Sequence, residues 1–285
     1  MYENQKDKSI QRLTIKMDRG YIYLNKNNYL HNIEVLKNLS RKELCLVVKA
    51  NAYGHGLEWS VKNAKESGIK WFAVASVDEG IQVKKVFGES RVLLLAEPSK
   101  NQLENVKVND IDLTVYNESF IDTLIKTGDE YRVHLKIDTG MHRLGCPPEK
   151  FHYLYKKIVD SNLNLIGICT HFPLADTDET ETKKSIELFE KTISDIDLSN
   201  MLLHVDNSAS SLYKLDNSFN MARVGIAAYG VQITAVENEN KLIPTMEIKT
   251  RVSNLQVRKK GEAVSYGKAQ RLSRDSIIAT APIGY

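Results

Sequence analysis

The sequence predicts an α/β fold, a (β/α)8 barrel of the TIM type followed by the start of a β-rich domain, and three observations carry that expectation. Short apolar or β-branched runs recur at even intervals, amphipathic segments fill most of the gaps, and after Gly230 the texture changes to alternating apolar and polar residues. Near-continuous apolar strands separated by helices belong to a parallel sheet covered on both faces, whereas alternation marks a half-exposed antiparallel strand.

Eight runs read as barrel strands: LCLVVKA (44–50), KWFAVAS (70–76), RVLLLAE (91–97), DLTVYN (112–117), RVHLKID (132–138), LIGICTHF (165–172), MLLHVDN (201–207) and ARVGIAAYG (222–230). Between them, 57–68, 149–162 and 181–196 carry the charge-bearing amphipathic pattern of helices. Because no long break interrupts the eight units, a closed barrel fits better than the runner-up, an open doubly wound sheet. The stretch 245–267 alternates as one half-exposed strand, and 277–285 (IIATAPIGY) ends the chain strand-like with no strand after it. The resulting division is a barrel over 26–242 and a β domain made of 1–25 plus 243–285. No internal repeat or low-complexity tract interrupts it.

Lys+Arg 39 against Asp+Glu 36 leaves +3 and no basic block, so nucleic acid and anionic membranes are poor partners and a small molecule is a better one. Cys45, Cys146 and Cys169 are odd in number and widely spaced, which argues against disulfides and against a metal site. No run of about 18 apolar residues and no signal-type segment occurs, and the expected location is cytoplasmic.

A barrel of this kind builds its site from the C-terminal ends of its strands. Those ends supply Lys49 and Tyr53 from the first strand, then Asp138, His142 and Arg143 from the fifth and His171 from the sixth. The seventh adds His204, Asn207 and Ser208, and the eighth Arg223, Gly225 and Ile226. Taken singly, each has an ordinary explanation: a rim lysine, paired or solvated arginines, an interior histidine, loop punctuation. Taken together they describe one chemistry. A desolvated lysine has a depressed pKa and condenses with an aldehyde, and amides and hydroxyls after strands seven and eight cradle a phosphate. An aldehyde and a phosphate on one molecule, with a tyrosine beside both, describe pyridoxal 5′-phosphate.

The motifs VVKANAYGHG (47–56), KIDTGMHRLG (136–145), THF (170–172), HVDNSA (204–209), RVGIAAYG (223–230), AVSYG (263–267) and PIGY (282–285) closely resemble the alanine racemase family of fold-type III pyridoxal-phosphate enzymes. The resemblance implies a cytoplasmic homodimer that interconverts L- and D-alanine by a two-base proton exchange, supplying D-alanine for peptidoglycan. It implies that Lys49 carries the cofactor, that Tyr53, Ser208, Gly225 and Ile226 hold its phosphate with Asn207 nearby, and that Arg223, supported by His204, faces the pyridine nitrogen. Arg143 would meet the substrate carboxylate, and Lys136 is a candidate for carbamylation. The second base would be Tyr266 of the partner subunit, its phenol made acidic by positive charge at His171 linked to Arg223. Asp138 would be a loop-capping residue.

The match departs at His142, at FPLAD (172–176) and at KAQ (268–270), where other residues are usual. Family members continue beyond PIGY through most of a β domain, so the resemblance implies a truncated chain. In such a chain the strand around YIYLN (21–25) would lack partners, and turnover would be weak or absent. Alternatives are a racemase of another small amino acid such as serine, or a non-catalytic pyridoxal-phosphate-binding barrel. A decarboxylase of this fold type would pair the ring nitrogen with a carboxylate, which RVGIAAYG does not supply.

Overall fold

The computed structural model of the chain describes residues 2–3, 12–17, 19–213, 217–233 and 241–283. Gly284 and Tyr285 of the PIGY motif lie outside them. The chain forms two compact units, Asn27–Pro244 and a second built from Met1–Lys26 with Thr245–Tyr285.

At the start of the second unit, β1 (Tyr2–Glu3), β2 (Arg12–Met17) and β3 (Gly20–Asn25) pair antiparallel in sequence order.

The first unit is a closed barrel of eight parallel strands, β4 (Glu43–Val47), β5 (Trp71–Val74), β6 (Arg91–Leu94), β7 (Ile111–Val115), β8 (Arg132–Lys136), β9 (Asn164–Cys169), β10 (Leu202–Asp206) and β11 (Met221–Val224). Each pairs with the next, and β11 closes on β4. The expected barrel is therefore present, with every strand shorter at its C-terminal end than the apolar run that announced it. Alternate residues explain why these strands read as continuously apolar. Outward residues such as Leu46, Phe72, Val92 and Leu113 pack in the large core beneath the helices, while Cys45, Val47, Trp71, Ala73, Leu93 and Met221 fill a smaller core inside the barrel.

The helices between strands follow local signals. Ser76 caps Val77–Val86 by accepting from the Glu79 amide, and Asp178 caps Glu179–Thr192 by accepting from the Glu181 amide. Both helices carry acidic residues in the first turn and lysine in the last, as the helix dipole favours. Gly128, at φ 74°, ends Glu118–Thr127 in the left-handed conformation. All three cysteines are free and buried, and no helix among the described residues is long and apolar enough to cross a membrane.

The remainder of the second unit holds β12 (Met246–Thr250), β13 (Asn254–Arg258), β14 (Ala263–Val264), β15 (Gln270–Arg271) and β16 (Ser276–Thr280). Two expectations need correction. The alternating stretch 245–267 is three short strands rather than one. The strand at 21–25 does not lack partners, because β3 is hydrogen-bonded to β2 on one side and to β12 on the other. Of the run at 277–285, the part that belongs to β16 pairs antiparallel with β13.

Candidate active site

Strand β4 ends at Val47, and Lys49 opens a turn of unusual hand. Ala50, Asn51, Ala52 and Tyr53 all have φ between 52° and 55°. Four consecutive non-glycine residues in the left-handed region cost on the order of 1–2 kcal/mol each, so the surroundings must hold them there. They do so through hydrogen bonds. The Glu79 carboxylate accepts from the amide of Ala50 (2.6 Å) and from that of Ala75 (2.9 Å), tying the turn to the end of β5. The Asn51 side chain accepts from the Leu57 amide at 2.8 Å.

The reversed hand carries Tyr53 against the loop after β11. A Cβ added to Gly225 would lie 2.5 Å from the Tyr53 hydroxyl, so this approach requires glycine. In the same loop the Ser208 hydroxyl accepts from the amides of Gly225 (3.0 Å) and Ala227 (3.4 Å). The Ile226 amide takes no acceptor among the described residues. Asn207 caps the short helix Ser208–Tyr213 by accepting from Ala209 and Ser210.

Arg223 reaches the mouth from β11. Its NH1 donates to the Nδ1 of His204 (2.7 Å) and to the His204 carbonyl; its NH2 donates to the Thr170 carbonyl (2.5 Å) and to the Nδ1 of His171 (3.4 Å). That accounts for four of the five donors a guanidinium carries, and the Nε–H takes no protein partner among the described residues. Burial, with Arg223 next in importance, depresses His171 to about 3 and holds His204 well below its ordinary value. These shifts favour the neutral imidazole, and the positive charge expected at His171 is carried by its partner Arg223.

Lys136 sits at the end of β8, almost fully buried, and burial lowers its pKa. Arg143 has neither an ion pair nor a hydrogen bond among the described residues. The loop between them is folded by Asp138, whose Oδ1 accepts from the amides of Gly140 and His142 at 3.0 Å each, which makes it a loop cap.

These residues line one cavity of about 540 Å³, made wholly of first-unit residues: Lys49, Tyr53, Lys136, Arg143, His171, His204, Asn207, Ser208, Arg223, Gly225 and Ile226 all face it. Four cationic side chains line it against one carboxylate, Asp176. The Lys49 amine, without a partner among the described residues, the open Ile226 amide beside the Ser208 and Tyr53 hydroxyls, and the open Arg223 donor fit a phosphorylated pyridine aldehyde. Tyr266 belongs to the second unit, where its side chain is 95% exposed.

Sequence reasoning passed over Glu79, which sits on a helix and acts through backbone amides; its place in the capping pattern after Ser76 was the available signal. It also passed over Thr114, Met141, Leu144 and Cys169 in the lining. Thr114 and Cys169 were readable only as inward positions of their strands.

Comparison with known proteins identifies the family. The model of the alanine racemase N-terminal domain matches residues 24–233, and that of the alanine racemase C-terminal domain matches 245–285. An alanine racemase of Treponema denticola is 35% identical over 274 residues, 91% of this chain and 72% of that protein. The solved alanine racemase of Clostridium difficile 630 superposes with a TM-score of 0.83 at 29% identity, over 95% of this chain and 74% of that one. A histidine racemase from Leuconostoc mesenteroides does so with 0.81 at 25% identity, over 95% and 76%. The closed barrel and the two matched domains agree, and the chain belongs to the alanine racemase family of amino-acid racemases.

Proposed function

We propose that this chain binds pyridoxal 5′-phosphate in the barrel-mouth cavity and interconverts L-alanine and D-alanine by exchanging the proton at Cα. The observation that carries the reading is the charge of the cavity: four cations converge there with one carboxylate to offset them, which suits a ligand set bearing a phosphate and a carboxylate. Lys49 would hold the cofactor, with Tyr53, Asn207, Ser208, Gly225 and Ile226 around its phosphate. When bound, the cofactor supplies an electron sink that acidifies the substrate Cα.

Arg223 has donors only and does not lose its proton, so a ring nitrogen facing it stays unprotonated. That weakens the sink and favours return of the proton over transamination. Arg143, with no protein partner among the described residues, would fork onto the substrate carboxylate. The buried amine of Lys136 is a candidate for carbamylation, which would set a carboxylate among these cations. Racemisation needs a base on each face of Cα. Lys49 would serve one face and Tyr266 of the partner subunit the other, so the working form would be a homodimer. The reaction would take place in the cytoplasm and supply D-alanine for peptidoglycan.

The test compares the wild type with Lys49→Ala and Tyr266→Phe, following racemisation and the washout of Cα deuterium from each enantiomer of alanine. Lys49→Ala should lose roughly a thousandfold or more in rate. Because the equilibrium constant is unity, kcat/KM must fall equally in both directions for Tyr266→Phe. Washout should separate the faces: the variant loses exchange from one enantiomer of alanine and retains it from the other. An undiminished rate in Lys49→Ala overturns the site, and turnover of serine or histidine without alanine overturns the substrate.

A further inference from the structure

Behind Arg223 the barrel interior holds a second histidine that does not line the cavity. His134 on β8 and His204 on β10 flank β9 and meet across it, the Nδ1 of His134 lying 2.8 Å from the Nε2 of His204 with their rings nearly perpendicular at 80°. Both are fully buried. The strand between them leaves room at one residue. A Cβ at Gly167 would collide with the Nδ1 of His134 and lie 2.8 Å from the Leu202 carbonyl, so β9 carries no side chain where the acceptor nitrogen of His134 sits.

The protons along this chain follow from its fixed end. A guanidinium only donates, so the Nδ1 of His204, at 2.7 Å from Arg223, has to be an acceptor. A neutral imidazole carries its one proton on the other nitrogen, which places it on the Nε2 of His204 and makes the Nδ1 of His134 the atom that receives it. The remaining nitrogen of His134 is buried and has no partner among the described residues, so the hydrogen bond to His204 is the one that holds that ring there. Charged groups stand at both ends, Arg223 above and Arg91 and Arg132 below, and each disfavours a protonated ring. With burial the larger cause, they depress His134 to about 3.

We propose that His134 is a positioning residue of the racemase: by accepting the Nε2–H of His204 it holds the tautomer that Arg223 requires and so keeps the Nδ1 of His204 as the acceptor that aims the Arg223 guanidinium into the cavity. The inference rests on the proposed role of Arg223 at the cofactor ring only for its effect on rate. The tautomer itself is a property of the chain alone.

The experiment is long-range ¹H–¹⁵N correlation of histidine side chains in the full chain, first without and then with added pyridoxal 5′-phosphate, for the wild type, His134→Asn and His134→Phe. The Asn Oδ1 falls near the place of the histidine Nδ1 and restores an acceptor; phenylalanine removes it. His204 should show a protonated Nε2 and a bare Nδ1 throughout pH 5–8 in the wild type and in His134→Asn. His134→Phe should lose that pattern, and its kcat should drop roughly ten- to a hundredfold, as loss of an outer-layer partner does, with the asparagine variant within about threefold of the wild type. A protonated Nδ1, or a doubly protonated ring, on wild-type His204 overturns the proposal, as does a phenylalanine variant with unchanged tautomer and rate. Because the tautomer is read before cofactor is added, a wild type that stays colourless with the vitamer refutes the function proposed above and leaves this result to decide the role of His134.

Discussion

The two rims of the barrel carry the same side-chain types in opposite states. At the N-terminal rim, Arg91 and Arg132 both close on the fully buried carboxylate of Asp112 at 2.8 and 2.5 Å, and Arg132 also meets Asp110 at 2.6 Å. Lys84 reaches Asp110 at 3.6 Å, and the Arg91 guanidinium stacks 4.5 Å over Trp71. At the C-terminal rim, Lys49, Lys136, Arg143 and Arg223 gather around a cavity with one carboxylate in its lining. A closed cluster commits its charge to the fold, and an open one holds it for a ligand. The interior between them has to remain uncharged, since cations face it from both sides.

That last statement yields the largest predicted effect. His134, His171 and His204 all have folded pKa values below the ordinary 6.5, burial being the main cause in each. The unfolded chain takes up protons below pH 6.5 that the folded chain refuses, so stability is present above that value and is lost as the pH falls. Between pH 7 and 5 the loss should reach up to about 2 kcal/mol for each histidine. Urea unfolding at the two pH values measures it; an unchanged midpoint would mean that the rings titrate normally and that the rims do not impose neutrality.

A smaller effect separates the rims directly. Asp112→Asn leaves two guanidinium groups facing one another, and should cost about 2–3 kcal/mol in a denaturant titration. The figure lies at the low end for a broken ion pair because the Arg91 and Arg132 side chains keep 36% and 26% exposure. Racemisation per folded molecule should not change. Were the rate to fall tenfold at full folding, the N-terminal rim would be coupled to the chemistry and the contrast would fail.

The smallest effect lies at the open rim. Glu79→Gln retains one acceptor where two amides now bind a carboxylate, so the turn after Lys49 loosens. About a tenfold drop in kcat/KM is expected, equivalent to about 1.4 kcal/mol, with only a slight change in melting temperature. Steady-state kinetics beside a thermal melt distinguishes this from general destabilisation.

The sequence announced the barrel because both faces of each strand are buried, which produces apolar runs that single-sided strands do not have. It announced Lys49, Arg143, His171, Ser208 and Arg223 because barrel chemistry collects at strand ends. What it could not announce was geometry set by contacts between distant segments. Ala50 to Tyr53 contain no glycine, and only Asn51 tolerates the left-handed region well, so nothing local foretold the turn. His134 and His204 are 70 residues apart on strands that are not neighbours. Gly167 sits in an apolar run with nothing local to show that it leaves space for an imidazole. In the second unit β3 was expected without partners and has two, β2 just before it and β12 more than 200 residues further along the chain.

The turn after Lys49 has one more consequence. Its backbone torsions are those that mirror-image residues adopt without strain, and two of its four positions are alanines. A chain assembled by chemical ligation with the D-enantiomer at positions 50 and 52 would relieve roughly 1–2 kcal/mol at each. The segment that presents Lys49 would then be most at ease when built from the very product this family makes.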